Sequence, residues 1–129
     1  GGAVAAVLVD ASARSAAVIR ENLTRLELRH RAQVWIVPAA RALRKLDKAG
    51  ETFDLIFLDP PYDKGLVKTT LEAIGQCALL NAAGIVVVEH SAREAVKPVY
   101  GDLILNDQRR YGDTLLSFFD RQETVNPTA

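Results

Sequence analysis

The sequence predicts a doubly wound α/β fold, in which a mostly parallel sheet ends in an antiparallel hairpin. Short apolar runs alternate with stretches of helical periodicity up to about residue 90, and this alternation is typical of strand–helix–strand units. After residue 99 two extended segments follow each other with no helical pattern between them, which indicates a hairpin. The chain has 129 residues, of which 49% are hydrophobic and 25% charged, the size and balance of one folded domain.

Four apolar runs predict the parallel strands. Each run is short and rich in Val, Ile, Leu or Phe, as expected for strands that are covered on both faces. Crossovers between parallel strands are right-handed, which limits the arrangements of the helices that join them. The predicted strands are Val4–Val9, 34–37, Phe53–Leu58 and 85–88.

Three stretches carry apolar residues at helical spacing. Ser12 is a candidate N-cap for the first, Gly50 ends the second, and Asn81 and Gly84 are expected to end the third. The stretches are marked by Ala16, Ile19, Leu23 and Leu26, by Ala39, Leu43 and Leu46, and by Val67, Leu71, Ile74 and Ala78, the last running to about Leu80.

The C-terminal part is expected to form a hairpin of segments 99–105 and 114–119, joined by a loop over 107–113. Residues 122–129 are polar, contain Pro127, and are expected to be a flexible tail. Residues 1–121 would then be a single domain.

The cysteine count, the length of the apolar runs and the distribution of charge indicate the class of protein. Cys77 has no partner for a disulfide, and the chain shows neither an apolar run long enough to span a membrane nor a signal peptide at Gly1, so we expect a cytoplasmic protein. The net charge is zero, but residues 1–50 carry nine Lys or Arg against four Asp or Glu, and residues 51–129 carry seven against twelve. Such asymmetry fits either a nucleic-acid-facing side or ordinary solvated helix faces.

The most informative motif is Asp59-Pro60-Pro61-Tyr62, directly after the third predicted strand. The prolines stiffen the backbone and leave carbonyls free to accept hydrogen bonds. The Asp59 carboxylate and the Pro60 carbonyl could hold both N–H groups of an exocyclic base amine and turn its lone pair toward an electrophile, while Tyr62 stacks on the ring. After alkylation Asp59 or water could take the proton. The structural alternative is a Pro-rich turn in which Asp59 caps the next helix.

Other candidates cluster where parallel strands end, because ligands of open sheets bind beyond the carboxyl ends. Asp10, Pro38, Asp59 and Glu89 fall at that edge. Asp10 suits ribose hydroxyls or a helix cap equally well.

Three residues of the predicted hairpin loop, Arg109, Arg110 and Tyr111, suit phosphate and base contacts, or form a solvated loop tip. His30 and His90 belong to no metal-ligand set and to no recognisable nucleophile arrangement, so both are expected to be structural.

Residues Val7 to Asp10, Phe53 to Tyr62 and Arg110 to Thr114 resemble the class I methyltransferases that use S-adenosylmethionine, and within them the RsmD-type enzymes that methylate guanine N2 of small-subunit ribosomal RNA. The resemblance covers nearly the whole chain. The Asp-Pro-Pro-Tyr motif alone is shared with amino-group methylases of DNA adenine N6 and cytosine N4.

The resemblance implies a Rossmann-like class I methyltransferase fold with S-adenosylmethionine as cofactor. It assigns Asp59, Pro60, Pro61 and Tyr62 to catalysis, and Asp10, Ala11, Pro38, Ala39 and Asp59 to the cofactor, with Pro38 in place of the acid or amide that the family often has near the adenine. Tyr62, Arg109, Arg110 and Tyr111 are candidates for substrate contact. The family's first strand and Gly-rich loop would precede Gly1.

The resemblance also implies direct methyl transfer without a metal, by a monomer whose partner is ribosomal RNA or an assembling small subunit, away from any membrane. Three alternatives remain open. One is a methylase of DNA adenine N6 or cytosine N4, which shares the motif. A phosphorelay receiver domain has acids after its first and third strands, but here only five residues separate Ser91 from Lys97, where a receiver has a full strand–helix unit. An inactive binding module of the same fold is the third.

Overall fold

A computed structural model describes residues 4–9, 17, 32–37, 41–60 and 65–121. Over these residues seven strands form a single sheet in the order β2-β1-β3-β4-β7-β6-β5. The strands are β1 (Val4–Val9), β2 (Ala32–Val37), β3 (Phe53–Leu58), β4 (Leu80–Ser91), β5 (Val99–Tyr100), β6 (Leu103–Tyr111) and β7 (Thr114–Arg121), and the helices are α1 (Arg41–Lys48) and α2 (Leu66–Gln76).

The first four strands are parallel, as the sequence predicts. Their register brings the carboxyl ends of β1, β2 and β3 to one level, because Val9 pairs with both Val37 and Leu58. Leu58 pairs with Val88, and β4 continues beyond this level to Ser91. β7 runs antiparallel to β4, and β6 and β5 continue the antiparallel part. The predicted doubly wound α/β sheet with a C-terminal hairpin is therefore confirmed.

Both described helices lie on one side of the sheet, which we call the helix face and define by Ile56, Val88 and Phe119. The steps from β2 to β3 and from β3 to β4 run in the same direction across the sheet, so right-handed crossovers put α1 and α2 on the same side. Their apolar residues pack there in one core cluster, comprising Val7, Leu43, Phe53, Ile56, Leu58, Val67, Leu71, Ile74, Leu79, Leu80, Val86, Val88, Tyr100, Leu103 and Phe119.

The opposite side, which we call the second face, carries the alternate residues Phe57, Glu89 and Phe118. These residues are only partly buried. In the middle of β4, Ile85 is 44% exposed on this side. None of the described helices covers it.

The third helix and fourth strand differ from their predicted bounds. α2 ends at Gln76, and β4 begins at Leu80 and runs to Ser91, so Asn81 and Gly84 lie within a strand. The reason is tertiary, because the side-chain amide of Asn81 donates to Asp54 Oδ1 at 2.9 Å and so holds this segment against β3. An irregularity in the pairing of β3 with β4 accommodates the residues between Leu80 and Ile85.

The hairpin was also predicted with the wrong bounds. Segment 99–105 is not one strand, since Gly101, at φ 59°, turns the chain between β5 and β6. The expected loop over 107–113 is mostly strand, because β6 continues to Tyr111 and only Gly112 and Asp113 form the turn. Gly112 has φ 62°, the left-handed conformation that two-residue hairpin turns require.

Two predicted segments lie wholly or mostly outside the described residues. The first helix, expected from Ser12 onward, lies outside the described residues except for Ala17, which is helical. The tail over 122–129 also lies outside them. Among the helices that are described, none has the length and apolar character needed to cross a membrane.

Candidate active site

Asp59 and Pro60 follow β3 directly, where the sequence predicts them. Asp59 is half-buried and Pro60 is buried. Pro61 and Tyr62 lie outside the described residues, and the chain is described again from Gly65, whose φ of 68° places the start of α2 after a left-handed turn. The structure therefore gives the position of the first half of the motif and leaves the second half as a prediction.

The register of the parallel strands places the ends of β1 and β2 level with the end of β3, which Asp59 follows. Asp10 and Ala11 follow Val9 in the sequence, and Pro38 and Ala39 follow Val37. Val9, Val37 and Leu58 are level, so the three adjacent strands β1, β2 and β3 end side by side. The four cofactor residues themselves lie outside the described part of the chain.

His90, at the end of β4, makes structural contacts. It is fully buried, its Nδ1 lies 3.0 Å from the Ser91 carbonyl oxygen, and its Nε2 lies 2.7 Å from Ser117 Oγ. A carbonyl only accepts, so Nδ1 carries the proton and the Ser117 hydroxyl donates to Nε2. Gln108 Nε2 donates to the same hydroxyl at 3.0 Å. With both ring nitrogens engaged, His90 joins β4, β6 and β7 on the helix face, in agreement with its predicted structural role.

Arg109, Arg110 and Tyr111 do not form a loop tip. All three lie on β6, and all three are exposed. Their end of β6 nevertheless reaches the predicted site edge, because Tyr111 pairs with Thr114 and Thr114 pairs with Ser91 at the end of β4. The loop that follows β4 is tied to the hairpin turn by a 2.8 Å bond from the Ala92 N–H to the Asp113 carbonyl.

The two arginines have different surroundings. The Arg109 guanidinium lies over the Phe118 ring, 5.5 Å from its centroid, and its Nε is 3.4 Å from Asp107 Oδ2. Arg110 instead donates from Nε to the Gly112 carbonyl at 2.8 Å, across the hairpin turn. Sequence reasoning did not separate these two residues.

The described residues also bear on a metal site and on the receiver-domain alternative. Among the described residues, no group of three or more His, Cys, Asp or Glu is placed to hold a metal ion. Between Ser91 and Val99 the chain forms turns and bends without a helix or strand, so the strand–helix unit that a receiver domain would need there is absent from this described segment.

A family model described as "Conserved hypothetical protein 95" matches residues 2–120. Bacillus subtilis YlbH, named "Putative rRNA methyltransferase YlbH", is 32% identical over 116 residues, which cover 90% of this chain. The chain spans 63% of the length of that relative.

Solved structures show the same fold. A conserved hypothetical protein of Streptococcus pyogenes is 29% identical, with a TM-score of 0.64 over 92% of this chain and 72% of its own. An Escherichia coli protein named "Putative methyltransferase yhhF" is 20% identical, with a TM-score of 0.60 over 92% of this chain and 64% of its own. The fold is thus that of the class I methyltransferases, and the chain belongs to the Conserved hypothetical protein 95 family, the RsmD-type family that its sequence resembles.

Proposed function

We propose that this chain is the catalytic part of an S-adenosylmethionine-dependent methyltransferase that acts on an exocyclic base amine, guanine N2 of small-subunit ribosomal RNA. The observation that carries the proposal is the place of Asp59 and Pro60. They leave β3 at the edge where parallel strands of an open sheet bind ligands, in a chain that belongs to this family.

The proposed role of Asp59 is to orient the amine. The nitrogen of a base amine is a poor nucleophile while its lone pair is delocalised into the ring. Two acceptors, the Asp59 carboxylate and the Pro60 carbonyl, can bind its two hydrogens and favour a geometry in which the lone pair points out of the ring system. Half-burial of Asp59 reduces competition from water for these hydrogen bonds. Pro61 stiffens the turn and Tyr62 supplies a stacking face.

The residues next to this position fit an adenosyl cofactor. Three strands end level, and a carboxylate, Asp10, directly follows β1, which suits a ribose diol. Ala11 is next to it, and Pro38 and Ala39, after β2, would line the adenine. S-adenosylmethionine, when bound, would supply an electrophilic methyl group. The chain's own task is to hold the amine and to accept its proton once the nitrogen is methylated.

The RNA substrate is supported by the relative named as an rRNA methyltransferase and by the cationic and aromatic side chains at the end of β6. Arg109 and Tyr111 are more than half exposed there. They are available to a ligand that extends along the sheet edge from Asp59.

The test is methyl transfer to small-subunit ribosomal RNA, followed by digestion to nucleosides and mass spectrometry. The wild-type protein should produce N2-methylguanosine, and Asp59→Ala should abolish it while the variant still unfolds cooperatively in thermal denaturation. Asp102→Ala is the matched control, because Asp102 is an exposed acid at the opposite edge of the sheet. Methylation of adenine or cytosine instead would replace the guanine assignment, and normal activity of Asp59→Ala would refute the mechanism.

A further inference from the structure

β6 contains one extra residue relative to β7. Leu105 pairs with Phe119, and Asp107 pairs with Phe118. Phe118 and Phe119 are adjacent on β7, whereas Asn106 lies between Leu105 and Asp107 on β6 and has no pair on β7. This is a β-bulge. The Asn106 side chain donates to Asp120 Oδ2 at 2.6 Å, which fixes the bulge to the neighbouring strand.

The bulge reverses the two sides of β6. Before it, Leu103 and Leu105 are on the helix face, opposite Arg121 and Phe119. In a regular strand the odd-numbered residues would stay on that face. After the bulge the even-numbered residues take it instead, as the bond from Gln108 to the buried Ser117 shows. Arg109 and Tyr111 are thereby placed on the second face, and Arg110 on the helix face.

The second face is also the side of the proposed catalytic aspartate. Phe57 is on the second face, so the alternation of β3, continued by two residues, assigns Asp59 to it as well. Asp59 follows Leu58, which pairs with Val88, so its level is that of Glu89 on β4.

Arg109 belongs to the same cross-strand row. Glu89 pairs with Leu116 and Leu116 pairs with Arg109, so one row runs from the level of Asp59 across β4 and β7 to β6. Three strand spacings separate its ends, about 14 Å. Tyr111 lies two residues further along β6, toward the edge of the sheet.

The side chains of Arg109 and Tyr111 suit contacts with an unstacked RNA strand. Tyr111 is 59% exposed and offers a ring on which a base can stack. The Arg109 guanidinium rests on Phe118, which orders it before binding, and its remaining N–H groups can reach a phosphate. Its partner Asp107 is 53% exposed, so their ion pair is weak and a phosphate can compete with it.

Resting on the proposed function, we propose that the bulge at Asn106 builds a second RNA subsite: Arg109 and Tyr111 hold nucleotides of the same strand, a short run away from the guanine that occupies the Asp59 site. About 14 Å of sheet edge leaves room for a short run of unstacked nucleotides between the two points. Arg110, on the other face and bonded to Gly112, takes no part in it.

The test compares adjacent residues in the intact protein, with a fluorescently labelled single-stranded RNA as the binding probe and small-subunit ribosomal RNA as the methylation substrate. Tyr111→Ala should weaken binding of the probe by about 5- to 150-fold, the range for loss of one stacked base. Arg109→Ala should weaken binding and reduce the slope of log affinity against log salt by about 1. In methylation both should raise KM for RNA and leave kcat unchanged.

Two comparison variants make the result specific. Arg110→Ala removes the same charge one residue away and should weaken binding less than Arg109→Ala does. Lys48→Ala removes an exposed charge at the end of α1 and should have no effect. Asp107→Asn should strengthen binding, because it frees Arg109 while keeping an acceptor for the Gln108 N–H.

Equal losses for Arg109→Ala and Arg110→Ala, or normal binding by Tyr111→Ala, would overturn the subsite. The proposed function would survive that result if Asp59→Ala still abolished methyl transfer. Conversely, if Asp59→Ala methylates normally while the Arg109 and Tyr111 variants lose RNA, the proposed catalytic role fails and the RNA subsite stands.

Discussion

Gly75, at the end of α2, is a position where one added methyl group should destabilise the fold. A Cβ there would overlap the Tyr100 carbonyl oxygen and lie 2.7 Å from the Tyr100 carbonyl carbon and 3.3 Å from Gly101 N. All three atoms are backbone, so no side-chain rotation can relieve the clash. The Gly75 carbonyl also accepts the Asp102 N–H at 3.3 Å, so the helix end and the turn between β5 and β6 touch directly.

The expected cost follows from two opposing effects. Overpacking a closely fitted site costs about 1–3 kcal/mol and sometimes more. Replacing a helical glycine by alanine stabilises the helix by up to about 1 kcal/mol, because alanine has the higher helix propensity. Because the clash with the Tyr100 carbonyl is severe, the overpacking cost should be at the upper end of this range, and Gly75→Ala should lower the free energy of unfolding by about 2 kcal/mol. For a domain of this size, that change lowers Tm by roughly 8 °C.

Thermal unfolding followed by circular dichroism measures this shift. Gln76→Ala is the matched control, since Gln76 is the exposed neighbour in the same helix and its replacement should change Tm little. If Gly75→Ala has the same Tm as the wild-type protein, α2 does not approach the β5–β6 turn as closely as described.

Three further predictions follow from individual contacts. Ser117→Ala removes the hydrogen-bond donor to the buried His90 Nε2 and should cost about 1–3 kcal/mol of unfolding free energy in urea denaturation, whereas an unchanged midpoint would contradict the buried bond. Asp54→Ala removes the acceptor that joins β3 to β1 and β4 and should cost a similar amount, about 1–3 kcal/mol, with Asp54→Asn milder. Burial, followed by the charge of Asp47 and a hydrogen bond to it, raises the pKa of Cys77, so at pH 8 iodoacetamide should modify this single cysteine slowly. Asp47→Asn should speed the modification, and an unchanged rate would exclude an influence of the Asp47 charge.

The sequence predicted the order of the described elements well because that order depends on local patterns. The apolar runs of β1 and β3 match their strands residue for residue, since a buried strand needs only a short apolar stretch with a clear end. The position of Asp59 at the ligand edge followed from the same pattern together with the rule for open sheets.

Long-range contacts account for most of the errors. Asn81 and Gly84 are helix and strand breakers by propensity, but a hydrogen bond to Asp54 and pairing with β3 keep their segment in β4. The bulge at Asn106 cannot be seen in the alternation of β6, because which residues are paired is decided by β7. An Asn-Asp pair inside an otherwise extended segment is the one local sign, since both residues are rare in regular strands.

The most direct test of the proposed role of Asp59 is the yield of N2-methylguanosine in small-subunit ribosomal RNA incubated with S-adenosylmethionine and either the wild-type protein or its Asp59→Ala variant. The wild-type protein should give a stoichiometric product, and the variant, which lacks an acceptor that orients the reacting amine, should react at least about a hundredfold more slowly. Equal rates of N2-methylguanosine formation by the two proteins would contradict this role.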